Sequence, residues 1–205
     1  MPESPTTTPD AVRSHYGQPN PLAAAKQMAK LDRHARAFIA MSPFVVVASS
    51  DAAGRCDATP RGDAPGFVAV LDDRTLLLPD RPGNRRVDTM LNAAENPHVG
   101  LLFFVPGIAE TLRVNGSARF TADAALLAGS SVRGREPVAG LLVAAEEVYF
   151  HCGKALIRSD LWNPERRVER SAFPSLGRVL ADQIAGTDAA ESERSIEEAY
   201  RTRLY

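Results

Sequence analysis

The chain has 205 residues, 44% of them hydrophobic and 24% charged, with a formal net charge of -1. That length supports one sizeable core and is short for two domains. The charge balance argues against a nucleic-acid binder, which needs a basic excess to neutralise phosphates. No apolar run approaches the roughly 20 residues that span a bilayer, and the start MPESPTTTPD lacks the basic-then-apolar order of a secretory signal. The expectation is a soluble, cytoplasmic protein with neither nucleic acid nor membrane as partner. Cys56 and Cys152 form no C-x-x-C pair, so free thiols and no metal are expected.

In chain order, the Pro- and Thr-rich start reads as a mobile arm, taken as residues 1–19. Asn20 and Pro21 look like an N-cap and a first helical residue, and Leu22, Met28, Leu31, Ala35, Phe38 and Ile39 predict a helix ending near Met41. From Ser42 the pattern changes to a β-branched run, 43–48, with turn chemistry at 51–54 and a returning strand over Cys56 to Arg61. Residues 66–71 and 75–78 read as a second hairpin turning at 72–74. A helix is predicted from Arg85 to Asn96 through Val87, Met90, Leu91 and Ala94, stopped by Asn96-Pro97. Two strands follow, 99–105 and 111–120, joined at Pro106-Gly107, and another over about 141–150. Shorter helices fit 122–127, 154–161, 176–184 and 191–203.

Six or seven short strands with peripheral helices predict a mainly β, α+β fold: a small antiparallel barrel, in which closing the sheet removes its unpaired edges. The predicted organisation is an arm over 1–19, a barrel domain with its N-terminal helix over 20–170, and a helical tail over 171–205 packed on that domain.

The segment from Leu78 through Pro79, Asp80, Arg81, Pro82, Gly83 and Asn84 to Arg85 and Arg86 leaves a strand, turns and enters the predicted helix. Helix-start amides attract an anion, and Arg81, Arg85 and Arg86 can add charge-assisted bonds to a phosphate monoester. Cations at that end of a helix dipole are unfavourable unless an anion neutralises them. The alternative is a solvated basic helix start. Arg61 and Arg113 lie on predicted strands, and alternation puts Arg113 and Asn115 on the face of Thr111. A cation by the pyrimidine edge of a flavin stabilises the charge gained on reduction; taken singly, each is more simply a surface arginine. His151 and Cys152, adjacent on a strand, point to opposite faces and cannot chelate one metal ion without a bend.

Taken together, segments 58–63, 66–67, 78–86, 96–97, 100–103, 106–107, 110–116, 149–155, 158–159 and 161–162 resemble, in order and spacing, the FMN-binding family related to pyridoxamine 5′-phosphate oxidase. The likeness covers about residues 25–170. It implies an FMN-binding split β-barrel that dimerises, with FMN held at the subunit interface. By that resemblance Arg85 and Arg86, with Asn84 nearby, would hold the FMN phosphate, and Leu78, Pro79, Asp80 and Arg81 belong to the expected cofactor-binding set. Arg61 would approach the ring. Glu110, Thr111, Leu112 and Arg113 would reach it from the partner chain, and Trp162 would close over the site. His151 and Lys154 would lie by the substrate. The C-terminal Arg-x-His pair with which pyridoxamine phosphate oxidases grip their substrate phosphate has no counterpart here, so the vitamin B6 reaction does not carry over. The expected function is an FMN-dependent oxidoreductase with no obligatory catalytic side chain; the alternative is a non-catalytic flavin, pyridoxal phosphate or haem binding or storage protein on the same barrel. Substrate, electron donor and acceptor are left open.

Overall fold

The computed structural model describes residues 8–205. Of the arm expected over 1–19, residues 1–7 lie outside the described part; helix α1 occupies Pro9–Tyr16 and buries none of its residues.

The single helix expected up to Met41 is in fact two. Asn20 caps as predicted, its Oδ1 accepting from the Leu22 amide at 2.9 Å, but α2 stops after Pro21–Ala25. Met28 then pairs with Val148 through N–H to O bonds of 3.0 and 2.8 Å. The reason is an open sheet edge. Strand β7 (Ala139–His151) is covered on one side by β4 (Thr75–Asp80) only over residues 139–144, leaving the groups of Val148 to be satisfied by another segment. Helix α3 restarts at Arg33–Met41 under an Asp32 cap that accepts from the amides of His34 and Ala35, and drives Ala35, Phe38 and Ile39 into the core.

The remaining strands are β1 (Phe44–Ser50), β2 (Cys56–Gly62), β3 (Ala69–Val70), β5 (His98–Phe104) and β6 (Thr111–Thr121). All pair antiparallel in one seven-stranded sheet of order β2-β1-β5-β6-β7-β4-β3. The hairpin expected from residue 66 shortens to two β3 residues because Gly66, at φ 80°, is tied to Ser42 and Phe67 to Ala64. The sheet rolls until its edge strand β2 meets β4: Arg61 pairs with Asp80 at 2.5 Å. This is a split barrel. Helix α4 (Asp88–Glu95) lies against β1, β6 and β2.

The barrel interior takes alternate residues from each strand, among them Val45, Val47, Leu101, Phe103, Leu112, Val114, Val143 and Val148. Each fully buried aliphatic or aromatic side chain stabilises by roughly 1.5–3 kcal/mol. On β7 a strict alternation would fail, since Leu141, Val143 and Ala145 belong inside but so do Val148 and Phe150. A bulge settles it. Asn115 faces Glu147 while Gly116 faces Ala145, so Glu146 has no partner and the phase shifts by one residue. Gly116 is required there, because a Cβ would sit 1.9 Å from the carbonyl oxygen of Ala144. Outside the sheet, Leu77 and Leu142 pack with Leu127 of α5 (Ala124–Leu127). After β7 come α6 (Lys154–Ser159) and, in the tail, α7 (Leu176–Gln183) and α8 (Ala189–Thr202), close to the predicted bounds. No helix among the described residues is long and apolar enough to cross a membrane.

Candidate functional site

The predicted phosphate segment begins inside the barrel wall and ends in solvent. Leu78 and Pro79 are buried in β4, Asp80 ends the strand, and residues 82–87 are exposed. The helix expected to open at Arg85 opens at Asp88, three residues later. In between, the backbone sign of φ alternates: Arg85 is at 64° and Val87 at 51°, while Arg86 keeps a negative value. Each left-handed non-glycine residue costs roughly 1–2 kcal/mol, a strain that calls for a compensating interaction. Alternating hand turns successive N–H groups toward one side, a concavity suited to an anion. In this structure the Asn84 carboxamide oxygen accepts from the Arg86 amide at 3.1 Å. The helix start expected at Arg85 is thus replaced by a strained loop.

The three arginines of the segment have different surroundings. Arg81 is turned inward, its Nε donating to Asp63 at 2.8 Å and its Nη1 to the Ser130 carbonyl at 2.9 Å. Arg86 is exposed and paired with Asp88 at 2.8 Å, and that carboxylate holds its guanidinium more firmly protonated than usual. Arg85 is exposed with no aspartate or glutamate oxygen within 4 Å among the described residues. Charge on this loop is therefore compensated at two arginines and available at the third.

Arg61 projects from β2 on the face of Val45, its direct partner, and so toward the barrel interior. Thr59 and Asp57 follow on the same face, where Thr89 of α4 donates to Asp57 at 3.2 Å. Between β2, β4 and α4, a cavity of about 10 Å³ is lined by Arg61, Leu78, Pro79, Thr89 and their neighbours. That holds no more than one water. Arg113 lies on the opposite, outer face of the sheet with Thr111 and Asn115, as alternation predicts. Its Nη1 donates to the Tyr149 hydroxyl at 3.0 Å, and its guanidinium carbon lies 5.5 Å from that ring. Since Arg61 and Arg113 occupy opposite faces, one chain does not bring them together.

Around Arg113 the outer face carries His151, 5.1 Å from Tyr149 ring to ring and opposite Thr111 in register. Its Nε2 is buried with no hydrogen-bond partner among the described residues. Burial first, then the charges of Arg113 and Lys26, push this imidazole below its ordinary value, so it is neutral near pH 7. Glu110 is exposed before the strand and Leu112 is fully buried inside. Trp162 donates through Nε1 to the Ile108 carbonyl at 2.8 Å, which docks the post-α6 segment beside the β5–β6 turn. Lys154 is exposed at the start of α6.

One cluster was missed by sequence reasoning. Asp63, its side chain 2% exposed, accepts from the Ala64 amide, the Tyr205 hydroxyl and Arg81. Burial pushes its carboxyl up, but these three donors together hold it below the usual carboxylate range. The partners lie 18 and 142 residues away, beyond any local pattern.

The model of the family described as pyridoxamine 5′-phosphate oxidase matches residues 31–152. Among solved structures, HupZ from Group A Streptococcus is 18% identical, covering 57% of this chain and 90% of its own, with a TM-score of 0.47. A candidate pyridoxamine 5′-phosphate oxidase from Lactobacillus delbrueckii is 22% identical over 60% of this chain and 95% of its own, TM-score 0.47. HutZ, the haem storage protein of Vibrio cholerae, is 14% identical over 60% and 94%, TM-score 0.40. No curated protein sequence matches the chain.

Proposed function

Because this chain belongs to the pyridoxamine 5′-phosphate oxidase family, matched over residues 31–152, we propose that it is an FMN-dependent oxidoreductase holding FMN between two copies. The observation that carries the reading is the 84–87 loop: two left-handed non-glycine residues, Arg85 and Val87, and two exposed arginines, of which Arg85 has no carboxylate partner among the described residues. Such a loop fits a dianionic phosphate ester, through amides on its concave side and the guanidiniums of Arg85 and Arg86. Arg81 contributes by fixing the foot of the loop to Asp63. The 10 Å³ cavity beside Arg61 is too small for a flavin ring, so the ring belongs outside the barrel. That position, with Arg61 and Arg113 on opposite faces, favours a site completed by Arg113 and Glu110 of a second copy, while Leu112, expected to reach the ring, is fully buried in its own barrel.

Bound FMN supplies two-electron chemistry. The chain's own residues then orient it, with Arg113 as a fixed positive group placed before the reaction, whereas the charge of Arg61, turned toward the barrel interior, is balanced by Asp80. Trp162, with the segment it anchors on Ile108, shields one side from water. His151, neutral beside Arg113, and Lys154 face the second reactant. We place the protein in the cytoplasm, where its two exposed thiols, Cys56 and Cys152, stay reduced.

Titration of the purified chain with FMN and with riboflavin tests this reading. One FMN per chain should bind at least about tenfold more tightly than riboflavin, since each charge-assisted bond to phosphate is worth about 1.5–3 kcal/mol. Dilution to monomer should release the flavin. Equal affinity for both ligands, or none for either, would refute it. Reduction of the bound flavin by NADH, NADPH or a deazaflavin separates an oxidoreductase from an inert carrier.

A further inference from the structure

Arg81 is the residue from which the exposed 82–87 loop hangs, since Asp80 ends β4 just before it. The next residue stiffens the joint. Pro82 has its own φ fixed by its ring and disfavours helical backbone at the residue before it, so the torsions beside the anchor have little freedom. Whatever pins the Arg81 side chain therefore also restrains the loop that carries Arg85 and Arg86. We propose that Tyr205, in the segment after α8, is a positioning residue for this loop: it holds Arg81 through Asp63 and so sets the affinity for the FMN phosphate. The second half of that statement rests on the FMN reading above.

Asp63 is the joint between the two. Its Oδ1 accepts from the Ala64 amide at 2.8 Å and from the Tyr205 hydroxyl at 2.9 Å, while its Oδ2 accepts from Arg81 Nε at 2.8 Å. Tyr205 and Arg81 thus grip opposite oxygens of one carboxylate, whose side chain is 2% exposed. A carboxylate so shielded from water is costly to leave without its donors, which keeps the joint closed. The bond to Asp63, and then the Asp63 charge, raise the Tyr205 phenol above its ordinary value, so the hydroxyl stays a donor at neutral pH. The Tyr205 ring restrains the same arginine a second time, its centroid 5.7 Å from the guanidinium carbon of Arg81 and 5.2 Å from that of Arg133. Arg133 sits at φ 52° in a turn closed by paired backbone bonds between Val132 and Arg135, a strain that its cation over the ring offsets. Each of these contacts is made by side-chain atoms of Tyr205.

The rest of the tail binds mainly to itself. Glu193 of α8 accepts from the Gly177 amide of α7 at 3.0 Å, and a Cβ at Gly177 would lie 2.7 Å from the Ala189 carbonyl oxygen. Among the described residues, no side chain of 171–204 makes a hydrogen bond or ion pair outside that stretch. Tyr205 is therefore the side chain through which the helical tail is coupled to the cofactor loop.

Hydrogen exchange of the ligand-free chain, read by mass spectrometry, and flavin titration of the parent, Tyr205→Phe and Tyr205→Ala test this. In Tyr205→Ala the amides of residues 83–87 should exchange at least about threefold faster, while those of β5 keep parental protection. FMN affinity should fall about three- to tenfold, the scale of one bond to a charged group acting through the binding-competent fraction of the loop, and riboflavin should stay within about twofold. Tyr205→Phe keeps the ring and loses the hydroxyl, so it should fall between parent and alanine; if β5 also loses protection in Tyr205→Ala, Tyr205→Phe carries the same comparison. Unchanged loop exchange would overturn the proposal, as would parental FMN affinity or an equal loss for FMN and riboflavin. A parent that binds no FMN would refute the flavin reading instead, and the exchange of the ligand-free loop would still decide whether Tyr205 holds it.

Discussion

Arg85 offers a clean separation of charge from backbone shape, because its guanidinium has no carboxylate partner among the described residues and its φ is 64°. Replacing it by alanine deletes the charge and keeps the left-handed cost of roughly 1–2 kcal/mol. Replacing it by glycine deletes the charge and relieves that cost, offset in part by the roughly 0.5–1 kcal/mol of extra chain entropy that glycine loses on folding. The two variants should therefore differ by at most about 1.5 kcal/mol in stability, glycine the more stable. In flavin binding they should match. Each loses one charge-assisted bond to phosphate, about 1.5–3 kcal/mol, hence roughly ten- to a hundredfold in FMN affinity. Riboflavin, without the phosphate, should bind both variants as it binds the parent. Fluorescence titration of both ligands, with urea unfolding alongside, reads all these quantities. If Arg85→Gly retained parental FMN affinity, or if riboflavin weakened as much as FMN, Arg85 would be a conformational residue and the loop would not be the phosphate site. Arg86→Ala should have the smaller effect, because Asp88 already engages that side chain.

Three further outcomes follow from packing and charge. Gly116→Ala drives a methyl into the Ala144 carbonyl and should cost more than about 4 kcal/mol or prevent folding, whereas Gly129→Ala, with open space at its Cβ, should stay within about 0.5 kcal/mol by urea unfolding. Asp63→Asn removes a nearly buried carboxylate from Arg81 and should cost about 3 kcal/mol near pH 7. The folded-state carboxyl is held below its unfolded value near 3.9, so its contribution is complete above that pH and is lost as pH falls through the folded value. The stability gap between parent and variant should accordingly close below about pH 4; a gap that widened there would contradict the assignment. His151 is shifted the other way in charge terms: its imidazole is kept neutral, so parental stability should fall as pH drops below about 6.5 toward the folded value, and His151→Phe should flatten that limb in urea melts.

Much of the architecture is written in local periodicity. The β-branched run before the 51–54 turn, the alternation of Thr111, Arg113 and Asn115, and the cap at Asn20 each act over a few residues, so these strand faces and this helix start are readable from order alone. What misled is equally physical. Leu22, Met28 and Leu31 keep helical spacing, yet Met28 is claimed by the uncovered edge of β7, a long-range demand that overrides propensity. The late start of α4 reflects φ signs at Arg85 and Val87 that no propensity favours. For the site, residue types were legible and their pairings were not. Nothing near Arg81 announces Asp63, and nothing near Asp63 announces Tyr205, because those contacts exist only once the sheet has rolled.

The unpaired Glu146 has a consequence for tolerated sequence length. With the bulge present, Val143 and Val148 both look inward while Tyr149 and His151 share the outer surface with Arg113. Deleting Glu146 would leave an unbroken ladder, with Ala145 still opposite Gly116 and Glu147 still opposite Asn115, and would keep every downstream face. Pairing Glu146 with Asn115 at the present length would instead send Tyr149 and His151 into the hydrocarbon interior and Val148 and Phe150 into solvent. Both substitution and removal of Glu146 should therefore be absorbed cheaply. The chemistry of the outer face is thus set by leaving one residue out of the ladder, whose own side chain does none of the work.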